Sequence, residues 1–523
     1  MRSRRLLIIF LIVLFLLGGI IYVFLYRQQI RETLSKTKDI TCTSCNIVLI
    51  SLDTLRADDL PCYGYTRNTA PNLCAFAKNN ILFSQPYSHS SYTLSSHFSI
   101  FTSLYPHDHG MLLPFKKDVL NPSITTLTQT LKAQNYETIY IGPQDDPALP
   151  LTRGLERGFD YLIDNLFTSG WKEGYDRLLK NSVAGKPTFL FLHTYAVHEP
   201  YLAGHNPKVQ FTDKIYPNIA VTDEEYIAYT EDLHQLVLKD LLTRYQSETN
   251  TQNRNNLKSI YDRLKNANNL ATAGAIFNSM SDMEKNSYHD IRWIRSIDEK
   301  DPGQVEYLRA LYDERINQLD AELPKLFSIL SNPQVSKRTI VIITADHGED
   351  FMEHGQLFHW GNVYNSATHV PLIMSIPGVQ PKRITDLVQS IDIYPTVMDL
   401  LHLKKLTWFD GISLADTISG KPDASKNNYL FSEYNEGSTI SIRNERWKLY
   451  VTTDGTKKNF ELYDLLNDPL EQHDMSSLHQ DTVAQLNTAL KNIPTMKFSI
   501  PSGDFPEWLD QEKRQKINHS GYF

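Results

Sequence analysis

The longest uninterrupted apolar run lies at the start, from Leu6 to Tyr26. Its length is about the ~20 residues a helix needs to cross a bilayer. No small-x-small cleavage site follows, so the pattern predicts a retained signal anchor rather than a removed leader. Arginines flank both ends (Arg2, Arg4 and Arg5 before, Arg27 and Arg31 after). An inside N-terminus is expected, because the bulk of the chain is large and such domains translocate largely regardless of charge.

Further on, short apolar runs rich in β-branched residues read as buried strands: Asn46 to Leu52, Thr188 to His193 and Thr339 to Thr344. Helical spacing of apolar positions from Tyr307 to Leu330 illustrates what lies between them. The alternation predicts an α/β fold with a doubly wound, mostly parallel sheet and helices on both faces. Residues 213–301 are polar and helix-permissive, and read as a helical insertion, with a disordered spacer as the alternative. Past Leu403 the segments shorten. Thr439–Arg443 and Trp447–Thr452 can pair as a hairpin, and Asp474 to Asn492 reads as mostly helix. A small C-terminal α+β subdomain follows from these. The expected organisation is a cytoplasmic tip 1–5, anchor 6–26, stalk 27–45, catalytic domain 46–410, C-terminal subdomain 411–498 and tail 499–523.

Composition changes this picture little. The 523 residues suffice for one large domain and a smaller one, and the net charge of −8 offers no general basic surface, which argues against nucleic acid as a partner. The four cysteines (Cys42, Cys45, Cys62 and Cys74) match no standard zinc spacing. Outside the cytoplasm they can pair as 42–45 with 62–74 or across, and four buried thiols are the third possibility.

Candidate chemistry collects at strand ends. Asp53 follows the first strand, Asp346 and His347 follow Thr339–Thr344, and His198-Glu199-Pro200 follows Thr188–His193. In open parallel sheets the carboxyl edge is where ligands bind. Carboxylates with an imidazole can hold Mg²⁺, Ca²⁺, Mn²⁺ or Zn²⁺ against an anionic ester, although a lone strand-end Asp also serves as a cap. Between Ser91 and Gly110, small hydroxyl residues precede a helical apolar pattern. That places Thr or Ser oxygens at a helix N-terminus, as caps or as a nucleophile beside anion-binding amides.

With these residues in place the sequence resembles the sulfatase family, of the alkaline-phosphatase-like superfamily. Asp53-Thr-Leu-Arg56-Ala-Asp58, Cys62-Tyr-Gly-Tyr65 and Thr69-Ala-Pro71-Asn72 look like its opening. The stretch from Thr93 through Tyr105-Pro106 to Gly110 resembles its nucleophile motif. Arg157-Gly-Phe-Asp160, His198-Glu-Pro-Tyr201, Thr344 to Glu349, Tyr364 to Pro377, Asp392 to Thr396 and Glu461 to Pro469 also match in order. The resemblance implies an alkaline-phosphatase-like fold, ester-bond chemistry and one divalent metal ion. Three departures stand out. Thr93 occupies the place of the Cys or Ser that becomes formylglycine, so formylglycine is not expected. Ser95 and His97 replace the motif's proline and arginine, and Thr54 replaces the second acid of an Asp-Asp pair. By likeness to phosphate-handling relatives, Asp53, Thr93, Asp346 and His347 would hold the metal, and Thr93 would be the nucleophile. His198 would contact the anion or protonate the leaving group, His359 would stand near it, and His97 would orient Thr93; His193, His107 and His109 are left as structural.

The expectation is a membrane-anchored, extracytoplasmic hydrolase or phosphotransferase, favouring phosphate mono- or diesters. Its partners would be a sulfated or phosphorylated glycan, a lipid headgroup or an envelope polymer. A sulfuric ester hydrolase using unmodified Thr93 is one alternative, and a catalytically inactive glycan- or partner-binding protein is another.

Overall fold

A computed structural model describes residues 42–493, apart from 113–117, 145–147, 166–169, 202–209, 217, 220–222, 249, 281, 360, 405, 422–423 and 435–436. The expected tip, the apolar run Leu6–Tyr26, most of the stalk and the tail lie outside these residues. Among the described residues no helix is long and apolar enough to cross a membrane.

Eight strands form the central sheet: β1 (Asn46–Leu52), β2 (Ile81–Tyr87), β3 (Glu137–Gly142), β4 (Tyr161–Asp164), β5 (Thr188–Thr194), β6 (Thr339–Thr344), β7 (Leu372–Ser375) and β8 (Lys382–Gln389). Their order is β4-β3-β5-β1-β6-β7-β2-β8. β7 runs antiparallel to both neighbours, and the other pairings are parallel. β1 is buried along its whole length, as a continuous apolar run requires when both faces are covered. Val48, Ile50 and Leu52 face one core, which they share with α1 (Pro71–Lys78), α4 (Trp171–Ala184) and α9 (Pro302–Leu330). Ile47 and Leu49 face the other, with α2 (Thr93–Thr102), α3 (Leu127–Ala133) and α10 (Ile393–Leu400).

Between β5 and α9 lie α5 (Glu231–Ser247), α6 (Thr251–Lys265), α7 (Leu270–Phe277) and α8 (Asp282–Arg295). They enclose a small core of their own from Leu233, Val237, Leu241, Leu264 and Phe277, among others. Trp293 packs instead into the main core and donates to the carbonyl of Ile219 at 3.1 Å. The helix α9 begins at Pro302, a turn earlier than its apolar pattern indicates, because Asp301 caps it through the Gly303 amide at 2.8 Å.

The last described unit is a four-stranded antiparallel sheet, β12-β11-β10-β9, built from β9 (Leu430–Tyr434), β10 (Thr439–Arg443), β11 (Trp447–Asp454) and β12 (Lys457–Asp464). β10 and β11 form the hairpin, with Arg443 opposite Lys448. The helix α11 (Gln480–Lys491) covers one face through Leu486. It starts later than Asp474, whose carboxylate accepts from the Leu462 and Ser476 amides and holds a turn there. The four cysteines form two disulfides, Cys42–Cys45 and Cys62–Cys74.

What positions the site is the segment after β6. The Gly348 amide donates to Ala367 at 2.8 Å and the Glu349 amide to Ser366 at 3.1 Å, stapling this turn onto residues 365–368. A Cβ at Gly348 would run into the Ser366 carbonyl and come within 3.1 Å of the Arg56 side chain. Gly348→Ala is therefore expected to cost about 1–3 kcal/mol of stability. Thermal unfolding measures it: an unchanged midpoint would show that residues 365–368 give way freely.

Candidate active site

In register, Ser51 of β1 stands opposite His193 of β5 and Thr344 of β6. Two residues beyond Ser51 is Asp53, and two beyond Thr344 is Asp346. Period-two geometry therefore brings the two carboxylates out of the sheet at one level. Both are fully buried. The Asp53 amide donates to the Thr194 carbonyl at 3.1 Å, and the Thr54 amide to Asp346 Oδ1 at 3.4 Å. Thr54, where an acid was the family expectation, adopts a left-handed backbone (φ 58°) and bonds the Asp53 carbonyl with its hydroxyl, so it bends the chain there.

Thr93 is the first residue of α2, buried, at a helix end where N-cap Tyr92 supplies no side-chain cap. Its Oγ1 lies 3.2 Å from His347 Nε2. His347 Nδ1 donates to the Gly348 carbonyl at 2.9 Å, which leaves the Nε2 lone pair facing Thr93. The same Nε2 is 3.4 Å from Asp346 Oδ2 and 3.9 Å from Asp53 Oδ1. Burial drives the His347 imidazole down to about 3, so it stays neutral. Ligand atoms of Asp53, Asp346 and His347 lie within 4.8 Å of one another, and Asp346 Oδ2 accepts no hydrogen bond although it is buried. Two adjacent buried carboxylates, a neutral imidazole and a hydroxyl fit a divalent cation of the Mg²⁺, Ca²⁺, Mn²⁺ or Zn²⁺ class.

His97, one turn along α2, does not point at this centre with an open nitrogen. Its Nδ1 donates to the Thr93 carbonyl at 2.8 Å, and Nε2 accepts from Ser51 Oγ at 3.0 Å. Its Nδ1 is also 3.6 Å from Asp346 Oδ2. His198 and His359 come together on the other side, with ring centroids 5.2 Å apart, and His359 lies 4.4 Å from His347 by the same measure. Burial lowers His359 to about 4.

Three neighbours were not singled out from the sequence. His193, left as structural with His107 and His109, donates from Nε2 to Asp53 Oδ2 at 3.0 Å. His107 bonds Glu433 at 2.7 Å and His109 bonds Ser99 at 3.1 Å, away from the centre. Glu349 accepts from His359 Nδ1 at 3.1 Å and from the Tyr201 hydroxyl, and burial pushes it up to about 7. Glu199 sits beside His198, with burial raising its carboxyl. His193 is the last residue but one of β5, and only its register with Ser51 marks it as a site residue, a signal that needs the strand pairing to be known.

The Sulfatase family model matches residues 45–403, and a second, N-sulphoglucosamine sulphohydrolase, C-terminal, matches residues 352–495. Arylsulfatase K of Gallus gallus is 29% identical over 256 residues, covering 46% of this chain and 48% of that protein. Arylsulfatase K of Bos taurus is 30% identical over 201 residues, covering 36% and 37%. The match thus spans about half the length, or less, of these relatives. Among solved structures, BT4656 in complex with its substrate D-glucosamine-2-N,6-O-disulfate superposes with a TM-score of 0.59 at 18% identity, covering 86% of this chain and 97% of that one. Phosphonate monoester hydrolase of Agrobacterium radiobacter gives 0.56 at 18%, covering 86% and 94%. With more than half of its length matched by the family model, this chain belongs to the sulfatase family.

Proposed function

We propose that the chain is a membrane-anchored, metal-dependent hydrolase or transferase of sulfate or phosphate esters, with Thr93 as nucleophile and phosphate mono- or diesters favoured. The observation that carries the reading is Thr93 Oγ1, 3.2 Å from His347 Nε2, at the point where Asp53, Asp346 and His347 converge. A cation held by Asp53, Thr93, Asp346 and His347 would supply Lewis acidity, lowering the hydroxyl pKa and offsetting charge on the ester. Thr93 presents its oxygen at the N-terminus of α2, where backbone amides and the helix dipole favour an anion. His97 fixes the backbone of that residue by tying its carbonyl toward β1. His193 orients the Asp53 carboxylate. His198 and His359 border the same space, and His359 brings N–H and lone pair rather than charge.

A threonine carries a β-methyl and cannot become the formylglycine aldehyde, which favours phosphate chemistry. The phosphonate monoester hydrolase among the fold's neighbours supports this preference. Sulfate-ester hydrolysis through unmodified Thr93 is the second reading, favoured by the Arylsulfatase K relatives. The substrate class would be a glycan, lipid headgroup or envelope polymer. An extracytoplasmic site agrees with the apolar run Leu6–Tyr26 and with two disulfides, which persist in oxidising compartments.

The full chain in detergent, assayed on p-nitrophenyl phosphate, bis-p-nitrophenyl phosphate and p-nitrophenyl sulfate with Mg²⁺, Mn²⁺, Ca²⁺ or Zn²⁺, tests this. Phosphate or diester turnover is expected, abolished by chelation and reduced roughly a thousandfold or more in Thr93→Ala. Activity that survives in Thr93→Ala would sink the nucleophile assignment, and sulfate turnover alone would select the second reading.

His193→Ala is expected to weaken metal affinity about 10–100-fold, since it removes the partner that orients a ligand carboxylate. Calorimetric titration of the apo protein reads this, with the thermal midpoint as a control for folding. Unchanged affinity would make His193 a bystander.

A further inference from the structure

The candidate centre lies at the carboxyl ends of β1 and β6, and the opposite edge of the sheet carries no part of it. β1, β3, β5 and β6 point the same way, as do β2 and β8 beyond β7, so their amino ends share that edge. The chain enters the domain there. The Cys42 amide donates to the Leu400 carbonyl at 2.8 Å, and the amide of Asn46, where β1 begins, donates to Arg338 at 2.7 Å. Residues 27–41 separate this point from the apolar run Leu6–Tyr26, and fully extended they span about 50 Å.

Cations collect on this edge in a chain whose net charge is −8. Lys337 and Arg338 precede β6, and Arg338 donates to the carbonyls of Ser44 at 3.0 Å and Gly185 at 3.2 Å, beside the entering chain. Lys78 closes α1 just before β2, and Lys382 and Arg383 open β8, with the Lys382 amide on the Asn80 carbonyl at 3.1 Å. Lys78, Lys337 and Arg383 are exposed. Lys78, Lys382 and Arg383 line a recess of about 310 Å³ beside the Cys62–Cys74 disulfide. Residues 376–381, which follow β7 between the two groups, carry no charge. Glu137 and Asp160, carboxylates of the same edge, are already paired with Lys186 and Lys132. Strands stand about 4.8 Å apart, so the cations at β6, β2 and β8 fall within roughly 15 Å along the edge.

We propose that this edge docks on anionic lipid headgroups of the membrane that holds the chain, with the recess taking a lipid phosphate. The inference rests on the anchoring proposed above. Lys and Arg side chains are drawn to a negatively charged membrane surface within a Debye length, and an arginine meets a phosphate through parallel hydrogen bonds. A tether of residues 27–41 does not by itself fix which face meets the bilayer, and a docked edge does. Asp53 and Asp346 then open away from that bilayer, about 20 Å above it by the length of β1. That placement favours a glycan or envelope polymer over a headgroup of the same leaflet as substrate.

The test uses the full chain in lipid nanodiscs with one copy per disc, made of phosphatidylcholine alone or with phosphatidylglycerol added. Lysine acetylation is followed by peptide mass spectrometry. With phosphatidylglycerol present, acetylation of Lys78, Lys337 and Lys382 is expected to slow about threefold or more and to recover as salt is raised. Lys258 of α6, in the insertion between the carboxyl end of β5 and α9, should label at one rate throughout. Charge reversal at the two exposed positions, Lys78→Glu with Lys337→Glu, should abolish the slowing at Lys382 without moving the thermal midpoint. Equal rates in the two kinds of disc overturn the proposal, as does slowing at Lys258 instead. Slowing confined to discs that carry two copies assigns the edge to self-association and overturns it too. Flotation separates docking from anchoring. A chain that does not float with phosphatidylcholine vesicles after detergent removal overturns the anchor and this proposal together, whereas one that floats yet labels equally in both discs overturns the docking alone.

Discussion

Parallel pairing of β1 with β5 and β6, without a shift in register, sets Ser51 level with His193 and Thr344. The site hangs on that alignment. A slip of one residue would move the end of β6 by about 3.3 Å and turn Asp346 to the other face of the sheet. What fixes the register is apolar: Val48, Ile50 and Leu52 pack into one core, Ile47 and Leu49 into the other. Neither set can exchange places without disturbing both. The precision of a polar centre is thus set by packing that never touches it.

Charge is the second constraint. The basic groups nearest Asp346 are His347, His97 and His193, and burial keeps His347 and His193 neutral. Arg56 is buried close by, but its guanidinium is committed elsewhere. It pairs with Asp58 at 2.6 Å, Asp59 at 3.3 Å and Glu353 at 2.5 Å, and donates to the Glu349 carbonyl at 2.9 Å. Its role is to tie the loop after β1 to the loop after β6. Positive charge to match Asp53 and Asp346 then comes most naturally from a bound cation, which is the physical basis of the proposed metal dependence.

These two constraints explain what could be read from the sequence. Strands buried on both faces leave an unbroken apolar signature, so β1, β5 and β6 were legible, and so were Asp53, Asp346 and His347, which directly follow their strands. Thr93 was legible through the order of motifs. His193 was not, because it lies inside a strand and becomes a site residue only through its register with Ser51. Glu199 and Glu349 gave no pattern of their own, and their meaning comes from His198 and His359 being brought together by loops distant in sequence. In the polar stretch before α9, Leu233, Val237 and Leu241 recur every four residues and pack on one side of α5, enough for a small core in the segment read as a helical insertion, which a disordered spacer would not form.

The replacements at 93 and 97 belong together. The family motif pairs its nucleophile with an arginine, a fixed cation on the same helix; here that position holds His97, which has both nitrogens engaged with the Thr93 carbonyl and Ser51. It secures the turn of α2 that carries Thr93 and brings no permanent charge. As the proposed nucleophile, a threonine hydroxyl is more basic than an aldehyde hydrate and needs stronger activation, and His97 on the same helix supplies no fixed cation. On the proposed function, both changes move the demand for positive charge from side chains to a bound ion. The donor set of Asp53, Asp346 and His347, with the Thr93 hydroxyl beside it, stands where that demand would be met.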